Sequence, residues 1–240
     1  MQLNKYLALC GVASRRKANI PIVEGKVTLN GQKVTELGVV VDPENDTICY
    51  NGKRLVQPKK NRYILLNKPG NVLTTAIDGR GRKTVLDVID IKERIFPVGR
   101  LDYDTVGVLL LTNDGDLAYR LAHPRYEIDK IYKAKVQGDI KPESIAKLEE
   151  GVWLKGIGEM RGEARIIKGG KQSSIVEVRL HEGKKRQVKR MLKAVGHPVI
   201  TLERMNFAGL TVGDLPQGAW RDLTEKEVQK LYQITGLKKR

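Results

Sequence analysis

From residue 63 onward the chain carries more strand-like than helix-like segments, and the two do not alternate. "RYILLNKPG" is an apolar run that meets a Pro-Gly breaker, and "VGVLLLT" is a continuous apolar stretch of buried-strand length. "KIYKAKV" and "SSIVEVRL" alternate with period two, and "HPVITLERMNF" returns as a strand. "DGDLAYRLAH", "PESIAKLEEG" and "KKRQVKRMLKAVG" read as helices. So does "TEKEVQKLYQITG", which opens on a Thr224…Glu227 capping box. A doubly wound parallel sheet requires strict strand–helix alternation. This order predicts an α+β domain with a mixed, mostly antiparallel sheet.

The first sixty residues differ in texture. Leu3, Tyr6, Leu7 and Cys10 follow i, i+3, i+4, i+7 spacing and predict one face of a short helix ended by Gly11. Ser14 is placed to cap a second helix beginning "SRRKA". "EGKVTLNGQKV" then reads as strand, Asn-Gly turn, strand, and a second Asn-Gly turn lies at Asn51-Gly52. "VQPKKN" is polar and carries a Pro, as a linker would. The expected organisation is a small domain over 1–58, a linker over 59–62 and a larger domain over 63–240.

Lys and Arg total 44 against 28 Asp and Glu, a net charge of +16. A field of one sign and that size speaks to partners and not to fold; nucleic acid is the expected one. The basic triplet Arg15, Arg16, Lys17, with Lys5, is the candidate contact in the first domain, since a helix start also offers free N–H groups to phosphate. Cys10 and Cys49 make neither a disulfide framework nor a zinc spacing. His123, His181 and His197 do not cluster, and no metal site is expected. No run approaches the roughly 18 apolar residues of a membrane span, and the start lacks a signal-peptide core. A soluble, cytoplasmic protein without membrane contact is expected.

The candidate chemistry lies in "FPVGRLDYDTVGVLLLTNDGD", where four aspartates surround a buried-looking strand. "DYDTV" fits a D-x-D-x-[TV] phosphatase pattern, but it sits mid-chain after Pro97, and magnesium would need further carboxylates, for which Asp114 and Asp116 are better read as a helix start. Asp104, Asp114 and Asp116 read as turn and cap residues. Asp102 does not. It follows Gly99, whose missing side chain permits close approach, and it shares strand-like i, i+2 spacing with Arg100. A carboxylate held beside a cation can remain ionised and act as a nucleophile.

"VGRLDYDTVGVLLLTNDGDLAYRLAHP", "KIYKAKV", "EGKKRQVKRMLKAVGHPV" and "LTVGDLPQGAWRDLT" together resemble the pseudouridine synthases that modify ribosomal RNA, in their RsuA/RluB branch. "LNKYLALCGVASRRKA…EGKVTLNGQKV" resembles the small RNA-binding domain that several rRNA-modifying enzymes share with a ribosomal protein. The resemblance implies isomerisation of a uridine, without metal or cofactor, with Asp102 as nucleophile at either C6 of the base or C1′ of the sugar. It implies that Tyr132 stacks on the uracil and that Arg100 braces the vacated stack. It places an Arg beside the aspartate where this chain has Lys189, in "RQVKR". Lys lacks the guanidinium fork, so Arg190 is the alternative partner; Arg186, Lys189 and Arg190 would share a helix face. Similarity in "GRKTVLDVI" and "RYEIDKIYKAKV" leans toward large-subunit rRNA, free or in an assembly intermediate, over the small-subunit rRNA. A non-catalytic rRNA-binding factor is the rival reading, and a monomer is expected.

Overall fold

A computed structural model describes every residue except 59, 77, 92, 239 and 240. It divides into two compact units, Met1–Asn61 and Arg62–Arg240. Lys59, in the expected linker, lies outside the described residues.

In the first unit α1 spans Leu3–Leu9 and buries Leu3, Tyr6 and Leu7, as their spacing dictates. Helix α2 spans only Asn19–Val23. The expected start at Ser14 is corrected: the "SRRK" segment is a turn, in which Ser14 accepts from the amides of Lys17 (3.4 Å) and Ala18 (2.7 Å). Pro21 supplies the reason, because proline is tolerated in a helix's first turn and not in its interior. Strands β1 (Val27–Leu29), β2 (Gln32–Val34), β3 (Ile48–Tyr50) and β4 (Lys53–Arg54) form a sheet in the order β2-β1-β3-β4. Both Asn-Gly turns have positive φ at both residues, the condition for the tight hairpin turn that matches strand twist. Leu3, Leu7, Ile22, Val27 and Ile48 close this unit's core.

The second unit is α+β. Its elements in chain order are β5 (Tyr63–Lys68), β6 (Phe96–Pro97), β7 (Val106–Thr112), α3 (Gly115–Ala122), β8 (Lys130–Gln137), α4 (Pro142–Glu150), β9 (Val152–Leu154) and β10 (Gly158–Met160). Then follow β11 (Glu163–Lys168), β12 (Ser173–Leu180), α5 (Gln187–Ala194), β13 (Val199–Phe207), β14 (Trp220–Asp222) and α6 (Glu225–Thr235). One sheet runs β11-β12-β8-β13-β7-β5-β14, with β6 beside β7. Its pairings are antiparallel except β13 with β7, which is parallel.

That parallel junction is where the site is built. Gly107 of β7 lies opposite Arg204 of β13 at φ +102°, and a Cβ there would sit 2.3 Å from the Arg204 carbonyl oxygen. Only glycine allows the two strands to close. The sheet carries a core on each face. One holds Ile64, Leu66, Leu109, Tyr132, Val178 and Met191; the other holds Leu65, Leu110, Leu117, Leu121, Phe207 and Leu231. Adjacent residues of β5 and β7 therefore serve opposite layers, which is why their runs read as continuously apolar.

Candidate functional site

Asp102 enters the site through a bend and not a strand, contrary to the expected i, i+2 geometry. Gly99 turns the chain at φ +69°, and nothing lies within 4 Å of where its Cβ would be. Toward the rest of the protein its requirement is conformational, and it lines an open cleft. Thr74 then clamps Leu101: its hydroxyl donates to the Leu101 carbonyl (2.8 Å) and faces the Leu101 amide (3.3 Å). Asp102 opens a turn closed by the Thr105 amide donating to its carbonyl at 3.1 Å.

Lys68 holds this turn from beneath. Its ammonium donates to the carbonyls of Pro69 (2.9 Å), Tyr103 (3.2 Å) and Thr105 (3.0 Å), and the residue is fully buried. Burial pushes its pKa down to about 8, against the opposing pull of Asp104 and Asp102. In sequence "NKPG" reads as a strand end, and that reading passes over this lysine. The available signal is a charge in an otherwise apolar strand, a residue type rarely buried without partners.

Lys189 reaches the same turn from α5. Its Nζ lies 2.5 Å from Asp104 Oδ1 and 3.9 Å from Asp102 Oδ2, with the lysine side chain only 11% exposed. Asp104 is therefore more than a turn residue. Burial opposes its ionisation, but the hydrogen bond and charge of Lys189 outweigh it and hold the carboxyl below its usual value. Arg190, the alternative partner, is directed elsewhere: it donates to the Lys155 carbonyl at 2.5 Å. Arg186 is not on the helix face expected for it. It precedes α5 with φ +55°, because the helix begins at Gln187. Asp114 caps α3 by accepting from the Leu117 amide at 3.1 Å, and Asp116 lies in that helix's first turn.

Asp102, Arg100, Leu101 and Arg186 line one open cleft of about 620 Å³, with Lys184 and Lys185 on its rim. Pockets that hold a small ligand fall in the same size range. An adjoining pocket of about 60 Å³ shares Arg100 and Asp102 with it and adds Tyr132, Thr105 and Gln187. Tyr132 is on β8, where Lys130, Tyr132, Ala134 and Val136 alternate inward. Arg100 and Asp102, separated from Tyr132 and Arg186 in sequence, are thus gathered by the fold; Arg190 is not. A cleft lined by tyrosine rings, the Asp102 carboxylate and several cations suits a flat heterocycle attached to a polyanion.

Arg204 also escapes the sequence reading. It is cross-strand partner to Tyr132 and 2% exposed, with Nε donating to the Val108 carbonyl at 2.8 Å. Burial pushes its guanidinium pKa down, opposed by the nearby Tyr132 hydroxyl. The sequence signal is a charge on the inward parity of a strand.

Lys5 and the Arg15–Lys17 triplet lie in the first unit. Lys5 is half-buried, Arg15, Arg16 and Lys17 are exposed, and Arg15 donates to Gln2 at 2.9 Å.

The sequence model of the family described as RNA pseudouridylate synthase matches residues 62–194, more than half the chain. The chain is 48% identical over 233 residues to the "Ribosomal large subunit pseudouridine synthase B" of Bacillus subtilis, covering 96% of this chain and 95% of that protein. It is 44% identical over 242 residues to an RNA pseudouridine synthase of Aquifex aeolicus, covering 99% and 96%. A crystal structure of a pseudouridylate synthase superposes with a TM-score of 0.69 at 28% identity, covering 96% of this chain and 99% of the other. The chain belongs to the family of RNA pseudouridine synthases, enzymes that isomerise uridine in RNA.

Proposed function

We propose that this enzyme converts one specific uridine of large-subunit ribosomal RNA to pseudouridine, with Asp102 as its nucleophile. The observation that carries the reading is that Asp102 and Tyr132 share one cleft while Lys189 stands 3.9 Å from the Asp102 carboxylate. The printed name of the Bacillus relative supports the choice of subunit. A uridine inside a stem hides its C5, so the nucleotide leaves the stack, at a cost of a few kcal/mol that phosphate contacts offset. The base enters beside Asp102 and lies on Tyr132, and Arg100 braces the stack it vacates. Arg186 and the neighbouring Lys184 and Lys185 meet the flanking phosphates. Asp102 attacks, the glycosidic bond breaks, the uracil turns, C5 bonds to C1′, the bond to Asp102 is released, and the proton lost from C5 is matched by one gained at N1. The exposed triplet Arg15–Lys17 gives the first unit a second hold on the RNA. The protein acts as a cytoplasmic monomer.

The test is expression of wild type and Asp102→Asn in cells lacking the protein, with carbodiimide-dependent primer-extension stops mapped on both rRNAs. The wild type should add one stop in the large-subunit rRNA, and the Asp102→Asn variant none. A stop in the small-subunit rRNA overturns the substrate; the same stop from the Asp102→Asn variant overturns the nucleophile.

A further inference from the structure

Arg204 is an expensive residue. The residue is 2% exposed, and no carboxylate among the described residues is paired with it. One donor goes to the Val108 carbonyl, the plane lies 4.7 Å over Phe207, and Nη2 is buried without a hydrogen-bond partner. A second cation, Lys130, sits 5.9 Å from the centre of the same Phe207 ring. A buried, uncompensated charge costs stability, and an apolar residue of similar size often raises it. A core that needed only packing would not carry this pair of cations.

What distinguishes Arg204 is its neighbour. It stands directly opposite Tyr132 across the β8–β13 ladder, on a strand locked by its carbonyl against Gly107. The Tyr132 hydroxyl is near enough to oppose the effect of burial on the guanidinium, and arginine has no acceptor, so between the two the guanidinium can only donate and the hydroxyl oxygen accept. A hydroxyl that accepts keeps its own proton for another acceptor, and a ring held at its oxygen loses its freedom to swing about χ1 and χ2.

We propose that Arg204 is a positioning residue: it anchors the Tyr132 hydroxyl so that the ring is held as a rigid platform for the flipped uracil beside Asp102. This inference rests on the reading that Tyr132 contacts the base. The stability lost to the buried guanidinium is exchanged for a preorganised ring, and a misplacement of about 1 Å at such a site is worth roughly a hundredfold in rate.

The experiment is a double-mutant cycle on the full chain with Arg204→Met, Tyr132→Phe and the combination, plus Arg204→Lys. The readout is tritium released from a large-subunit rRNA transcript labelled at uridine C5, since that hydrogen is lost when C5 bonds to C1′. Arg204→Met should lower kcat roughly ten- to a hundredfold, leave KM within about twofold and leave the melting temperature unchanged or higher. In the Tyr132→Phe background the same substitution should cost less than about twofold, because the hydroxyl through which it acts is gone. Arg204→Lys, which keeps a donor, should recover part of the rate. Independent, multiplicative losses from a slow Tyr132→Phe and a slow Arg204→Met overturn this inference alone. A Tyr132→Phe enzyme as fast as wild type overturns this inference alone, because Phe keeps the ring on which the uracil lies; a Tyr132→Ala enzyme as fast as wild type overturns the Tyr132 reading as well. If Arg204→Met does not fold, the cycle is run with Arg204→Lys, and multiplicativity there overturns the proposal equally.

Discussion

Replacing Lys189 by Met removes a charge 3.9 Å from Asp102 and 2.5 Å from Asp104. At 3.9 Å a unit pair is worth about 1 kcal/mol at the dielectric of water and about 4 kcal/mol at an effective value near 20. Asp102 is 28% exposed and Lys189 11%, so the true surroundings lie between these limits. An intermediate value of about 2 kcal/mol corresponds to a loss near thirtyfold. Single-turnover tritium release at saturating enzyme isolates that loss from RNA binding. Lys189→Arg should keep most of the rate, because its fork can span both carboxylates. Asp104→Asn, which removes the nearer competitor for the ammonium, should stay within about threefold of wild type. A Lys189→Met enzyme at wild-type rate refutes the view that Lys189 supports the nucleophile. An Asp104→Asn enzyme slower than Lys189→Met would mean that the 2.5 Å pair matters and the 3.9 Å one does not.

Three further outcomes are expected. Gly107→Ala places a Cβ 2.3 Å from the Arg204 carbonyl at φ +102°, so it should cost more than about 2 kcal/mol in denaturant unfolding; a smaller loss would mean that β7 and β13 can part without penalty. Lys68 and Lys130 both have pKa values lowered by burial to about 8. Between that value and the ordinary lysine range the unfolded chain binds more protons than the folded one, so stability should rise with pH from about 8 to 10.5. Each lysine contributes on the order of 1–3 kcal/mol, and Lys68→Met should remove about half of the rise; a flat profile in wild type refutes the role given to burial. Binding to rRNA fragments should weaken steeply with salt, and Arg15→Ala with Arg16→Ala should each reduce the log–log slope by roughly 0.7–0.9. An unchanged slope would place the first unit's phosphate contacts elsewhere.

Local chemistry is legible where the responsible atoms are close in sequence. The two Asn-Gly hairpins, the Asp114 cap of α3 and the Thr224–Glu227 capping box each depend on residues within a few positions of one another. Strands of three residues are not legible: the β9–β10 pair and β14 are too short to show a period, and their place comes from partners across the sheet. The second helix is misplaced from sequence because Ser14 offers a cap while Pro21 vetoes the helix that would follow it. For the site, the resemblance of whole segments points to Asp102 and Tyr132, and the fold brings both to one cleft.

By itself the sequence determined the α+β class, the mostly antiparallel sheet, the basic field and the family. Only the tertiary structure decided which cation serves which carboxylate. Lys189 falls on the turn and Arg190 faces away, although they are adjacent, because neighbouring helix positions point about 100° apart and α5 can present only one of them to the Asp102–Asp104 turn. Only the tertiary structure could show that Lys68 and Arg204 are buried beneath Asp102 and Tyr132. Burial is a property of strands brought together from opposite ends of the domain, and no window of sequence contains both sides of that contact.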